Sequence, residues 1–271
     1  MVRMKKIAFY GKGGIGKSTT AANVSAALSE RGLQVCQIGC DPKNDSTRLL
    51  LGHICRRTVL GMVRDKDNVT AEDIVHTGYH GIRCVEAGGP EPGVGCAGRG
   101  IIVALEKLRT LHALDDQDLI LYDVLGDVVC GGFAVPIREG YASDIYIVSS
   151  GELMSLYAAN NIAKGIQRFA VRGGVRLGGI IGNGRNTPRE EEMLRDFARR
   201  LHTRLVAFVP RDIVVNKAEN NRQTVLQYAP DSTQAQIYRD LAETLLINTD
   251  LTVPTPLSFE ELEDLVAQYG A

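Results

Sequence analysis

Gly11-Lys12-Gly13-Gly14-Ile15-Gly16-Lys17-Ser18-Thr19-Thr20 fits the phosphate-loop pattern G-x-x-x-x-G-K-[ST]. Lys6-Ile7-Ala8-Phe9-Tyr10 precedes it, a short apolar run that reads as a buried strand. Thr20 to Leu28 follows, rich in small helix formers. A loop held between strand and helix is the context in which this pattern cradles phosphate. The fold class it predicts is α/β, of the P-loop NTPase type.

The residue types supply the chemistry. Glycines at 11, 13, 14 and 16 let the backbone curl until its N–H groups point at a phosphate. The N-terminus of the next helix adds the positive end of its dipole. Lys17 is placed to meet the terminal phosphates, and the Ser18 hydroxyl to complete the shell of a bound Mg²⁺. Gly11, Gly13, Gly14, Ile15, Gly16, Lys17, Ser18 and Thr19 are therefore the candidate phosphate-binding set. Lys12 is the unusual member. A second lysine early in the loop marks the deviant Walker A form, KGGxGK[ST], in which that lysine reaches across a dimer interface to the partner's nucleotide. The plainer reading is a surface lysine that raises the local positive potential.

Further strands follow at 34–40, 82–86, 118–123, 144–149, 177–183 and 205–209. Helical patterns lie between or after them, at 71–75, 101–110, 152–169, 188–201, 215–221, 234–246 and 259–268. This alternation predicts a mostly parallel sheet with helices on both faces. The region from His53 to Tyr79 reads as polar and mixed apart from its short helix, and Ala87 to Gly100 as too glycine-rich for a helix interior. The second strand ends in Asp41-Pro42-Lys43-Asn44-Asp45, where α/β folds put their ligands. Alone it would read as a solvated turn; beside a phosphate loop it becomes a nucleotide-sensing switch. Asp118-Leu119-Ile120-Leu121-Tyr122-Asp123 is a strand of Walker B type, running directly into Val124-Leu125-Gly126-Asp127.

The chain has 271 residues and no internal repeat or linker, so a single domain over residues 1–271 is the better count. A net charge of −1 gives no global case for nucleic acid or an anionic membrane. No run approaches the roughly eighteen apolar residues of a membrane span. Met1 to Lys6 leads straight into the first strand without the apolar segment of a signal peptide, so the expected location is cytoplasmic. Six cysteines (36, 40, 55, 84, 96 and 130) in such a chain are not a disulfide framework, and none forms a C-x-x-C pair. Cys36, Cys40 and Cys84 read as small core residues, and Cys55 is uninformative.

Cys96 and Cys130 share a different setting, each bounded by glycines that leave room for a sulfur-rich ligand. A cubane cluster takes four thiolates. One chain offers two and two chains offer four, which suggests a homodimer with a cluster on its two-fold axis. From the pattern alone, two unrelated buried cysteines are an equal reading.

Over almost its whole length the chain resembles the iron protein of nitrogenase and its close relatives. The resemblance is carried by Tyr10 to Thr20, Gly39-Cys40-Asp41-Pro42-Lys43, Gly88 to Gly100, Tyr122 to Phe133, and Val209-Pro210-Arg211-Asp212. It implies a homodimeric MgATPase with one bridging 4Fe–4S cluster per dimer. Such a protein docks on a heteromeric nitrogenase-like catalytic component and passes it single electrons, and a ferredoxin or flavodoxin reduces it again. Cys96 and Cys130 become the cluster ligands by this likeness. Lys12, Lys17 and Ser18 bind phosphate and Mg²⁺; Asp41, Lys43 and Asp45 form a first switch, and Asp123 with Asp127 a second. Lys12, Lys17, Asp41 and Asp127 are the candidate catalytic groups. Asn183, Pro210, Asp212, Glu219 and Gln234 fall where the family holds adenosine, and Arg99 matches an arginine that some organisms ADP-ribosylate.

Asn44 and Asn216 stand where the family has Ala and Gln, and the stretch from His53 to Asn68 is shorter and more basic. Gly132 to Pro136 and Ala87-Gly88-Gly89 lean toward the nitrogenase-like reductases: those of tetrapyrrole reduction, nickel-tetrapyrrole cyclisation and methylthio-alkane reduction. Two other classes compete. A partitioning or septum-site ATPase uses the same loop, but the C-terminal Phe259 to Leu265 is acidic and suits neither DNA nor membrane binding. An iron–sulfur carrier ATPase would show a C-x-x-C pair.

A shared cluster makes a direct prediction. Anaerobically purified protein should hold about four iron atoms per dimer. Cys96→Ala and Cys130→Ala should each lose the whole cluster, whereas Cys55→Ala should keep it. Iron quantified against protein, with the mass measured in solution, checks this; four irons on each monomeric chain would overturn it.

Overall fold

The computed structural model describes residues 4–89, 97–124, 126 and 141–270. Eight strands form one sheet: β1 (Lys5–Tyr10), β2 (Val35–Gly39), β3 (His76–Thr77), β4 (Arg83–Glu86), β5 (Leu119–Asp123), β6 (Asp144–Ser149), β7 (Arg176–Asn183) and β8 (Leu205–Val209). Their order is β3-β4-β2-β5-β1-β6-β7-β8. All pairs are parallel except β3 with β4. The helices are α1 (Lys17–Glu30), α2 (Arg48–Leu51), α3 (Val59–Asp65), α4 (Ala71–Ile74), α5 (Ala97–Thr110), α6 (Leu153–Gly173), α7 (Glu190–Arg200), α8 (Ile213–Asn220), α9 (Val225–Tyr228), α10 (Thr233–Ile247) and α11 (Phe259–Tyr269).

Strand alternation divides the apolar side chains between two cores. Ile7 and Phe9 face one side with Leu119, Leu121, Tyr146 and Val148, under α1 and α10. Ala8 and Tyr10 face the other with Ile120, Tyr122, Ile145 and Ile147, under α5, α6, α7 and α11. Helix α1 is buried nearly all round, because Ala21, Ala22, Ala26 and Ala27 let it lie close between the sheet and α10. The loop before it is thereby held at the C-terminal edge of the central strand.

Two expectations need correction. The stretch from His53 to Tyr79 is more ordered than its polarity suggests. Val59, Val69 and Ile74 anchor it in the core, the Thr58 hydroxyl accepts from the Gly61 amide (3.1 Å) to start α3, and β3 adds an antiparallel edge. These elements are too short to show a period. Helix α5 starts at Ala97, not Ile101. The first-turn N–H groups of a helix make no intrahelical bond, so Gly98 and Gly100 are tolerated there while Ile101, Leu105 and Leu108 bury the following turns.

Among the described residues no helix is long and apolar enough to cross a membrane. Buried polar groups knit the far side of the sheet: Asn248 donates to the Tyr146 hydroxyl (2.8 Å) and to the Gly178 carbonyl (2.9 Å). A Cβ on Gly178 would lie 2.5 Å from the Tyr146 ring. Gly178→Ala should therefore lower stability by about 1–3 kcal/mol through overpacking, read as a fall in the denaturant midpoint at unchanged m-value.

Candidate functional site

At the C-terminal edge of the sheet, beside β1, lies a cavity of about 370 Å³. It is lined by Gly13, Gly14, Gly16, Lys17, Ser18 and Thr19 from the loop and α1, by Asp41, Lys43 and Asp45 after β2, and by Asp123 at the end of β5. Asn183, Pro210, Asp212, Glu219 and Gln234 line the opposite wall. Six stretches distant in sequence thus meet at the edge where the parallel strands end. Gly11, Lys12 and Ile15 are not among the described lining residues.

The loop's conformation is over-determined. Gly11 has φ +149°, and a Cβ there would lie 2.2 Å from the Val148 carbonyl oxygen of β6. Gly16 has φ +100°, and a Cβ there would lie 2.3 Å from Asn183 Nδ2. That amide donates to the Ile15 carbonyl (2.6 Å), and Arg185 donates to the Gly14 carbonyl (2.6 Å). The Lys17 ammonium is buried and donates to the carbonyls of Gly11 (2.7 Å) and Lys12 (3.0 Å). This presets the charge inside the arch of the loop.

Asp123 is buried beside it. Burial pushes its carboxyl above the ordinary value, while the donating hydroxyls of Ser18 and Ser46 and the charge of Lys17 pull the other way. A buried carboxylate, a serine hydroxyl and a loop lysine in one place are the set that binds Mg²⁺ and terminal phosphates. In the loop after β2, Asp41 accepts from the Lys43 amide (2.9 Å), and Asp45 is exposed. On the far wall, Glu219 accepts from the Thr19 hydroxyl (2.5 Å) and Gln234 donates to the Pro210 carbonyl (3.4 Å). Asp212 caps α8 by accepting from the Val214 amide (2.8 Å). Asn216, Arg185, Arg211 and Tyr238 also line the cavity. Of these, Arg185 and Tyr238 carried no motif signal; only their positions, after β7 and on α10, bring them there.

Asp127, Cys96 and Cys130 lie outside the described residues, and Arg99 is exposed in the first turn of α5. Gly126 is described, and it sits on the loop: a Cβ there would lie 1.9 Å from the Gly11 carbonyl oxygen. Just past β5 the chain therefore lies against the backbone of the phosphate loop at Gly126.

Cys36, Cys40, Cys55 and Cys84 are free and buried. Burial pushes Cys36 up to about 12 and Cys55 up to about 11, and raises Cys40 and Cys84 as well, so none is poised as a thiolate.

A family model described as 4Fe-4S iron sulfur cluster binding proteins, NifH/frxC family, matches residues 5–271. The chain belongs to this family. It is 58% identical over 270 residues to the nitrogenase iron protein of Methanospirillum hungatei, covering 98% of this chain and 96% of that one. Membership makes it an ATP-dependent electron-transfer reductase component with a 4Fe–4S cluster and MgATP as its cofactors, and implies a homodimer with a catalytic partner. The dinitrogenase-reductase reading stands ahead of the nitrogenase-like one. Solved structures of similar fold include the septum site-determining protein MinD with Mg-ADP from Pyrococcus horikoshii (TM-score 0.72, 20% identity, 89% of this chain and 95% of that one). The cell division ATPase MinD of Pyrococcus furiosus is another (TM-score 0.70, 21% identity, 90% of this chain and 99% of that one). At such identity they show the fold alone.

Lys17→Ala removes the charge preset in the loop. MgADP affinity should fall roughly ten- to a hundredfold, the range of a lost charge-assisted bond. Iron content should be unchanged; calorimetric titration of both proteins checks this.

Proposed function

We propose that this chain couples MgATP hydrolysis to delivery of single electrons to a nitrogenase catalytic component, in the cytoplasm, with a ferredoxin or flavodoxin as its donor. The observation that carries the reading is the meeting of Lys17, Ser18, Asp123 and the 41–45 loop in one cavity, with Gly126 seated on Gly11. Residues 1–271 act as one unit.

In this reading Lys17 and the loop amides hold the β- and γ-phosphates, while Ser18, Asp123 and Asp45 hold Mg²⁺. Asn183, Pro210, Asp212, Glu219 and Gln234 flank the nucleoside. Glu219 also orients Thr19, and Asp212 keeps α8 in place, so both act partly through positioning. Asp41, Lys43 and Asp127 sense the γ-phosphate. Lys12 of each subunit reaches the other's phosphates, so hydrolysis needs the compact dimer. Cys96 and Cys130 of both subunits hold the cluster, which supplies single low-potential electrons when bound. Arg99, exposed at the start of α5, is the candidate for covalent modification that blocks docking.

Nucleotide acts by population shift. Asp127 follows Gly126 in the chain and precedes Cys130 by three residues. Movement of Asp127 toward or away from the phosphates therefore moves the thiolate segment, with Gly126 against the loop as its pivot. Asp127→Glu lengthens the side chain by one methylene. It should bind MgATP within about threefold of wild type, yet lose most of the MgATP-dependent change in iron chelation, because about an ångström of misplacement suffices to spoil such geometry. Chelation rates with and without MgATP test this, and a wild-type response would count against the coupling.

A further inference from the structure

Glu86, the last residue of β4, is fully buried and belongs to none of the groups above. Its Oε1 accepts from both the amide and the hydroxyl of Thr47, each at 2.7 Å. Its Oε2 is buried with no partner among the described residues. Room for the carboxyl exists only because position 39 on the neighbouring strand is glycine: a Cβ there would lie 2.0 Å from Oε2.

The neighbours of Glu86 extend the same seam. The Ala87 amide donates to the Gly39 carbonyl (2.8 Å), and a Cβ on Gly89 would lie 2.5 Å from the Pro42 side chain. On the other side Ser46, next to Thr47, donates to Asp123 in the nucleotide cavity. Residues 86–89 therefore meet the end of β2 and the chain after it at Gly39, Pro42 and Thr47. They lead in the chain to Cys96, ten residues after Glu86.

We propose that Glu86 is a positioning residue that locks the 41–47 loop onto β4, so that occupation of the nucleotide cavity is felt along the segment leading to Cys96. This rests on the ATPase reading of the cavity. It gives the two cysteines separate lines to the nucleotide: Cys130 through Asp127, and Cys96 through Ser46, Thr47 and Glu86. A buried carboxylate with one oxygen left over is a costly way to hold a loop. Protonation lessens that cost, and the surroundings favour it. Burial pushes it up to about 8 against the Thr47 bonds, which lower it, and the charges of Asp123 and Asp45 add to the rise. Gln therefore copies the working form in shape and charge.

The test uses the anaerobically purified dimer, with wild type, Glu86→Ala, Glu86→Gln, Thr47→Val and Thr47→Ser. Hydrogen exchange at the Thr47 amide, MgATP affinity and iron chelation with and without MgATP are measured. Glu86→Ala should speed exchange at Thr47 roughly five- to tenfold, the factor of one lost hydrogen bond. It should cut the MgATP-dependent change in chelation at least about threefold, with affinity held within about threefold. Thr47→Val should show the same loss of response, while Glu86→Gln and Thr47→Ser should respond as wild type. A merely structural role would shift basal chelation equally with and without MgATP, and would overturn the proposal. If Glu86→Ala does not fold, Thr47→Val against Thr47→Ser decides alone. Normal responses in Glu86→Ala and Thr47→Val overturn the proposal while leaving the ATPase reading intact; a wild-type dimer that binds no MgATP overturns both.

Discussion

The backbone crowding around Gly11 is the constraint on which the site depends. The residue sits at the C-terminal end of β1, with the Val148 carbonyl of β6 on one side and Gly126, just past β5, on the other. Neither contact leaves space for a side chain at 11 or 126. This close approach brings the phosphate loop, the end of β5 and Gly126 together in one corner. The Lys17 ammonium then folds back onto the Gly11 and Lys12 carbonyls. A site for a highly charged ligand needs such preorganisation, because a donor that must first find its place loses much of its strength.

Charge in this corner is balanced locally. Asp123 is buried, and what offsets the cost is a ring of donors: Ser18, Ser46 and the nearby Lys17. Ser46 belongs to the loop after β2, so Asp123 and that loop share one hydrogen-bond network. Binding of a cation or phosphate at Asp123 cannot leave the 41–47 loop indifferent. The opposite wall is held differently, with Glu219 tied to Thr19 and Asp212 to the first turn of α8. Several of the polar groups that face the cavity already have a structural partner, which limits how far they can rearrange.

Fold and family separate cleanly here. The MinD proteins share the fold at about one identical residue in five. The high identity to a nitrogenase iron protein extends over nearly all of the chain, including surface and loop regions that the fold does not require. A common fold can therefore carry different functions.

Much of this protein was legible in one dimension. The phosphate loop is contiguous and its neighbours are a strand and a helix, so local pattern decides it. The order of strands and helices follows from periods of 2 and 3.6, which adjacent residues set. Short elements such as α3 and β3 escaped because a few residues cannot display a period. Glu86 with Thr47, Asn183 with Ile15, Arg185 with Gly14 and Glu219 with Thr19 escaped for a deeper reason. Their partners lie 39, 168, 171 and 200 residues apart. Such pairs exist only because the crossovers place β4 beside β2, and β7 one strand away from β1. Sequence decided which groups could bind phosphate; the strand order alone decided which distant side chains hold them still.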